Sequence, residues 1–125
     1  MKYVVLCLTF AALILTACSA TSESSATPTL DATQQQGQDV FKLRCAQCHA
    51  LTPNTVVIGP SLAGIATRAA NRMEGYSAEE YLEISILAPK DYLVEGFMDT
   101  MPTNFGKDLT SDELSAVVAY LMTLK

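Results

Sequence analysis

The chain has 125 residues and a formal net charge of −5, so it has room for one domain and no clustered Lys and Arg with which to bind nucleic acid. Character changes along its length: the first seventeen residues are apolar with one charge, Lys2, the stretch to about Gln36 is rich in Ser, Thr, Ala and Gln, and the remainder mixes charged and apolar residues. Without the first seventeen residues the balance is 7 basic against 13 acidic side chains, or −6.

The run Tyr3–Leu15 carries no charge and follows Lys2, the pattern of a short secretory leader. At 1.5 Å per residue it spans about 20 Å as a helix, short of the ~30 Å hydrocarbon core. It ends in Leu15-Thr16-Ala17-Cys18, which resembles a bacterial lipobox. The resemblance implies a signal peptide over residues 1–17 and a mature chain that starts at Cys18 with lipid on its sulfur. An uncleaved anchor with Cys18 as a buried thiol is the other reading. Both put the domain outside the cytoplasm at a membrane surface, periplasmic or on the outer face of the cell membrane.

Residues 18–36 show no apolar periodicity beyond the lipidated cysteine and read as a flexible tether. Eighteen such residues reach about 24 Å r.m.s., enough to let a tethered domain search neighbouring partners at high effective concentration. The globular domain is expected over residues 37–125, which is 89 residues by subtraction. A domain of that size buries only about two thirds of its unfolded surface, so a large apolar prosthetic group would supply what its side chains lack.

A short helix over Gly37–Arg44 runs into Cys45-Ala46-Gln47-Cys48-His49. Cys-x-x-Cys-His is the attachment pattern of a covalently held haem c: two thiols three residues apart reach the two vinyl groups of one macrocycle, and the adjacent imidazole is held under the iron. Three rivals are weaker. A Cys45–Cys48 disulfide closes too small a loop to restrain the unfolded chain much. A thioredoxin-like pair belongs at a helix start in an α/β chain, and no strand pattern precedes this one. Zinc needs four ligands, whereas His49 is the only histidine and Cys7 and Cys18 belong to the leader and the lipid.

With one histidine the iron cannot be bis-histidine ligated. Met73, Met98, Met101 and Met122 are the methionines of the mature domain. Met73 sits in a polar connection and Met122 in an apolar helical pattern. Met101 precedes Pro102, which favours extended backbone at Met101 and can hold its thioether inward from a loop. Met98, three residues earlier, is its competitor. Arg68, Arg72, Tyr76 and Asn104 are polar groups within reach of haem propionates in principle, and equally ordinary surface residues.

A less distinct helix is expected near Leu62–Ala70. Ser77-Ala78-Glu79-Glu80 has capping-box spacing and opens a helix with Tyr81, Ile84 and Leu87 at helical intervals, stopped by Pro89. Thr110-Ser111-Asp112-Glu113 is a second capping box, followed by Leu114, Val117, Val118 and Leu121 on one face. No stretch alternates, so the domain is expected to be all-α.

Taken together, these pieces resemble the class I (monohaem, cytochrome c-like) c-type cytochromes over essentially all of residues 37–125. The matching features are Gly37 and Phe41 ahead of Cys45–His49, Gly59-Pro60-Ser61-Leu62 after it, Tyr81 to Pro89, Gly96 to Gly106 with Met101-Pro102, and Ala119-Tyr120-Leu121. The part from Tyr81 to Leu124 is especially similar to small bacterial cytochromes and to cytochrome domains fused to some haem–copper oxidase subunits. The resemblance implies about four short helices wrapped around one haem, with Gly37 and Phe41 meeting Tyr120. It further implies a hydrogen bond from His49 to the Pro60 carbonyl, Met101 as sixth ligand, and one-electron transfer between redox protein partners rather than catalysis. A peroxidase-like enzyme or a haem-based sensor would need an open iron position. The lysine-rich docking face of mitochondrial cytochrome c is missing, so its docking rules do not carry over.

Overall fold

The computed structural model describes residues 29–125; the expected signal peptide, Cys18 and the tether as far as residue 28 lie outside them. The described residues form helices and no strands, in the order α1 (Ala32–Arg44), α2 (Ile65–Ala69), α3 (Ala78–Leu87), α4 (Phe105–Asp108) and α5 (Ser111–Leu121). The all-α expectation holds, with the single turn α4 added to the four helices read from the sequence. None of these helices is long and apolar enough to cross a membrane.

The first helix starts at Ala32, five residues ahead of Gly37, so residues 32–36 of the stretch expected to be tether are helical. Asp31 caps it, accepting a hydrogen bond from the Gln34 N–H at 2.8 Å, while the Gln34 side chain accepts from the Asp31 N–H at 3.1 Å. That reciprocal pair is a capping box written with Asp and Gln. The three glutamines that follow are good helix formers, but they carry no apolar periodicity by which a helix could be recognised. At the other end Lys42 and Arg44 sit in the last turn, where cations complement the carboxyl-terminal end of the helix dipole.

Helix α1 buries Gly37, Val40 and Phe41, spaced i, i+3, i+4, against Ala116, Val117, Tyr120 and Leu121 of α5. The approach is close because Gly37 has no side chain. A Cβ there would overlap the Ala116 carbonyl and come within 2.8 Å of the Tyr120 Cβ. The Phe41 and Tyr120 rings lie 5.7 Å apart, inclined at 50°. The meeting of Gly37 and Phe41 with Tyr120 that the family resemblance implies is therefore present.

Helix α2 is shorter than the span Leu62–Ala70, and it buries Ile65, Ala66 and Ala69. The Ala66 N–H donates to the Leu124 carbonyl at 3.0 Å, tying α2 to the end of the chain. Helix α3 opens on the expected Ser77–Glu80 capping box and ends at Ala88, before Pro89. Its buried face is Tyr81, Leu82 and Ile86, whereas Leu87 of the expected stripe is 38% exposed. The stripe is rotated because α3 faces both the core and a cavity, and what lies opposite decides which residues are covered. Helix α4 packs on α3, with Leu87 near Gly106.

Helix α5 opens on the expected Thr110–Glu113 capping box. The Thr110 hydroxyl accepts from the Glu113 N–H at 3.2 Å. Replacing Thr110 by alanine removes this cap and is expected to cost about 1 kcal/mol, read as a lower midpoint in thermal or denaturant unfolding. The Glu113 carboxylate in turn accepts from the Thr110 N–H at 2.9 Å and from the Thr110 hydroxyl at 3.0 Å, and these two bonds to the carboxylate hold its pKa below the ordinary 4.5. Since the folded-state value is the lower one, this contribution is complete above the unfolded-state pKa and is lost as pH falls through the folded-state pKa.

Candidate functional site

The site begins where α1 ends. Cys45 is the C-cap of α1, its N–H donating to the Phe41 carbonyl at 2.8 Å. The Cys48 and His49 N–H groups both reach back to the Cys45 carbonyl at 3.0 Å, which folds the five-residue motif into a tight turn. Both cysteines are half-buried free thiols. They line one side of a cavity of about 420 Å³, with His49 beside them. Tyr81, Leu82, Ser85 and Ile86 of α3 form another wall, and Met98, Met101 and Phe105 contribute from the loop and turn that follow. The volume and the mostly apolar lining suit one bound organic cofactor with few polar groups.

The His49 ring is held at two points. Its Nδ1 lies 2.8 Å from the Pro60 carbonyl oxygen, and because a carbonyl can only accept, Nδ1 carries the proton and donates. In the neutral tautomer with its proton on Nδ1, Nε2 is the nitrogen whose lone pair can bind a metal. Gly59 packs against the same ring, where a Cβ would lie 2.8 Å from Nδ1 and 2.9 Å from Nε2. The Gly59 N–H also donates to the Cys48 carbonyl at 2.9 Å, joining the segment before Pro60 to the motif. The hydrogen bond to Pro60 implied by the resemblance is thus found. Gly59 as the seat of the ring went unrecognised in the sequence, where only its place in Gly-Pro-Ser-Leu marked it.

The Cys45 thiol is pushed up to about 11, chiefly by burial and secondarily by Cys48. It is protonated at neutral pH, whereas a disulfide-exchange pair needs a depressed thiol. Among the described residues no three His, Cys, Asp or Glu side chains come together as a metal cluster, so the zinc reading has no structural counterpart.

The methionines separate by location. Met73 and Met122 pack on the core, and neither lines the cavity. Met98 and Met101 both do, but Met98 is 80% exposed and Met101 is half-buried against the core. Arg68, Arg72 and Asn104 line the cavity, and the exposed Tyr76 does not. Arg68 is fixed by donating to the Ser61 carbonyl at 2.9 Å and to the Ala63 carbonyl. Ser85 adds a residue that no sequence signal marked. Its hydroxyl oxygen is buried without a hydrogen-bond partner, although the residue lines the cavity. Orphaned hydroxyls of this kind are costly and point to a missing neighbour.

Two thiols on one turn, an oriented imidazole seated on a glycine, and an apolar cavity with an unpartnered hydroxyl in its wall all fit a covalently attached haem. The comparison with known families agrees: the family model for cytochrome c matches residues 34–125, nearly the whole described domain. This chain therefore belongs to the cytochrome c family, whose members carry covalently attached haem c and transfer electrons with it.

Proposed function

We propose that the protein is a lipid-tethered monohaem cytochrome that passes single electrons, with His49 Nε2 and the Met101 sulfur as the axial ligands. The observation that carries this reading is the pairing of a fixed His49 ring with a half-buried Met101 on the wall of the same cavity. The bound haem supplies an iron that alternates between ferrous and ferric states by gaining or losing one electron.

The chain's own residues do the rest. Cys45 and Cys48 would hold the cofactor, each S–H adding across a vinyl double bond with sulfur going to one carbon and hydrogen to the other. The Pro60 carbonyl fixes the His49 tautomer and ring orientation. Methionine ligation raises the reduction potential, and the apolar walls add to this by disfavouring the extra positive charge of the ferric state. Two protein ligands leave no position for substrate, and His49 is the only histidine, so no distal histidine is available for acid–base work. This supports a carrier or electron-transfer subunit of a respiratory or photosynthetic chain over a peroxidase-like enzyme or a sensor. Its partners are redox proteins met in small, transient contacts.

The ferric absorption spectrum tests the ligation. Wild type is expected to show the weak far-red band of methionine sulfur on ferric haem, Met101→Ala to lose it entirely, and Met98→Ala to keep it. A band that survives in Met101→Ala overturns the assignment. A wild type without the band, able to bind carbon monoxide when ferrous at neutral pH, would point to enzyme or sensor.

The anchor is tested separately. In Cys18→Ser, fatty-acid labelling is expected to disappear and the cytochrome to move from the membrane to the soluble extracytoplasmic fraction. Undiminished labelling would refute lipidation at Cys18.

A further inference from the structure

Between Pro89 and Phe105 the chain makes a long excursion without regular secondary structure, and Met101 lies near its returning end. Its own backbone hydrogen bonds are short-range: Asp91 N–H to the Ala88 carbonyl, Phe97 N–H to the Val94 carbonyl, and Thr100 N–H to the Met98 carbonyl. Tyr92 is pinned at the outgoing end, its ring edge-on to Tyr81 with centroids 5.6 Å apart. None of these contacts joins the outgoing limb to the returning one. Among the hydrogen bonds and ion pairs of the described residues, the one that does is an ion pair, Lys90 Nζ to Asp99 Oδ2 at 3.0 Å.

Its placement gives it leverage. Lys90 follows the buried Pro89 at the end of α3, and Asp99 lies two residues before Met101. The pair therefore fastens the sulfur-bearing limb of the loop to the end of a packed helix. Lys90 is also the only cation between residues 73 and 106, a stretch that holds seven carboxylates. Asp91 adjoins it in sequence, yet the partner Lys90 takes is Asp99. Without Lys90 the returning limb keeps Asp99 in a segment that also carries Asp91 and Glu95, with no compensating charge.

We propose that Lys90 and Asp99 are positioning residues for Met101, forming a clasp that slows the opening of the sulfur–iron bond. This rests on the His49/Met101 ligation described above. The clasp holds the closed loop while the iron changes oxidation state, and so keeps the coordination position shut to external ligands. Exposed pairs have small effects, which sets the size to look for: a change in opening of about twofold to fivefold.

The test is ligand exchange on the ferric holoprotein. Cyanide in excess displaces the sulfur at a rate limited by loop opening, followed as decay of the far-red band at low ionic strength. Lys90→Gln and Asp99→Asn are each expected to accelerate the decay by about twofold to fivefold. The double neutral variant should be no faster than the singles, and the reversed pair Lys90→Asp with Asp99→Lys should return toward wild type. At about 1 M salt, where screening extends over only ~3 Å, the differences should shrink. Wild-type rates in both single variants overturn the clasp, as do effects that simply add in the double variant. If wild type lacks the far-red band, the ligation reading has failed and the clasp falls with it; a normal band with unmoved kinetics condemns the clasp alone.

Discussion

Replacing Cys45 and Cys48 together by alanine is expected to abolish covalent haem: the protein should run without haem stain on a denaturing gel, and any bound pigment should pass into acidified organic solvent. Each single variant should retain haem through one remaining thioether, in lower yield. Full covalent attachment in the double variant would refute the assignment. The two thiols lie on one hydrogen-bonded turn at the cavity edge, and no other cysteine lies among the described residues to replace them.

The same variant should lose cooperative folding. A sealed void of 420 Å³ would cost on the order of 10 kcal/mol at about 24 cal/mol per Å³, comparable with the whole stability of a small domain. Exposed rim residues such as Leu43 and Met98 leave the cavity open to water, which makes the actual cost smaller. It is still large for a domain this short. The haem-free protein is expected to unfold over a broad, low-temperature transition in far-UV circular dichroism, against a sharp one for the holoprotein.

The second large effect is expected at Gly37. Gly37→Ala puts a Cβ into the Ala116 carbonyl of α5, a backbone atom that cannot step aside as a flexible side chain can. Relief requires α1 and α5 to separate, which breaks the Phe41–Tyr120 contact and loosens the burial of Val40 and Val117. The cost should be about 3 kcal/mol or more, the upper part of the range for overpacking. Gly106→Ala is the control. A Cβ there meets Leu87 Cδ2 at an ordinary 3.5 Å, and its effect should stay within about 0.5 kcal/mol. Denaturant unfolding of the two holoproteins side by side checks the contrast. Equal stabilities would mean that the helix contact relaxes more freely than a backbone clash permits.

The features legible from residue order are local. The motif Cys45–His49 places two thiols and an imidazole within five residues, so a short turn is enough to present them together. The capping boxes at Ser77 and Thr110 are likewise local, because each helix start is satisfied by a side chain three residues away. The start of α1 is local too, yet periodicity places it five residues late because its polar glutamines carry no hydrophobic rhythm.

The remaining features depend on what lies opposite each residue once the helices have packed. Met98 and Met101 share a loop and a residue type, and what separates them is that one stands in solvent while the other packs on the core. The Gly59 seat for His49 exists because the chain returns to the motif ten residues later. Ser85 is an ordinary mid-helix serine until a cavity is found beside it and its hydroxyl is found without a partner. Lys90 and Asp99, nine residues apart, become a pair only when the loop folds back on itself. Spacing along the chain records hydrogen bonds within a turn; contacts across a cavity or a loop are set by how the helices pack.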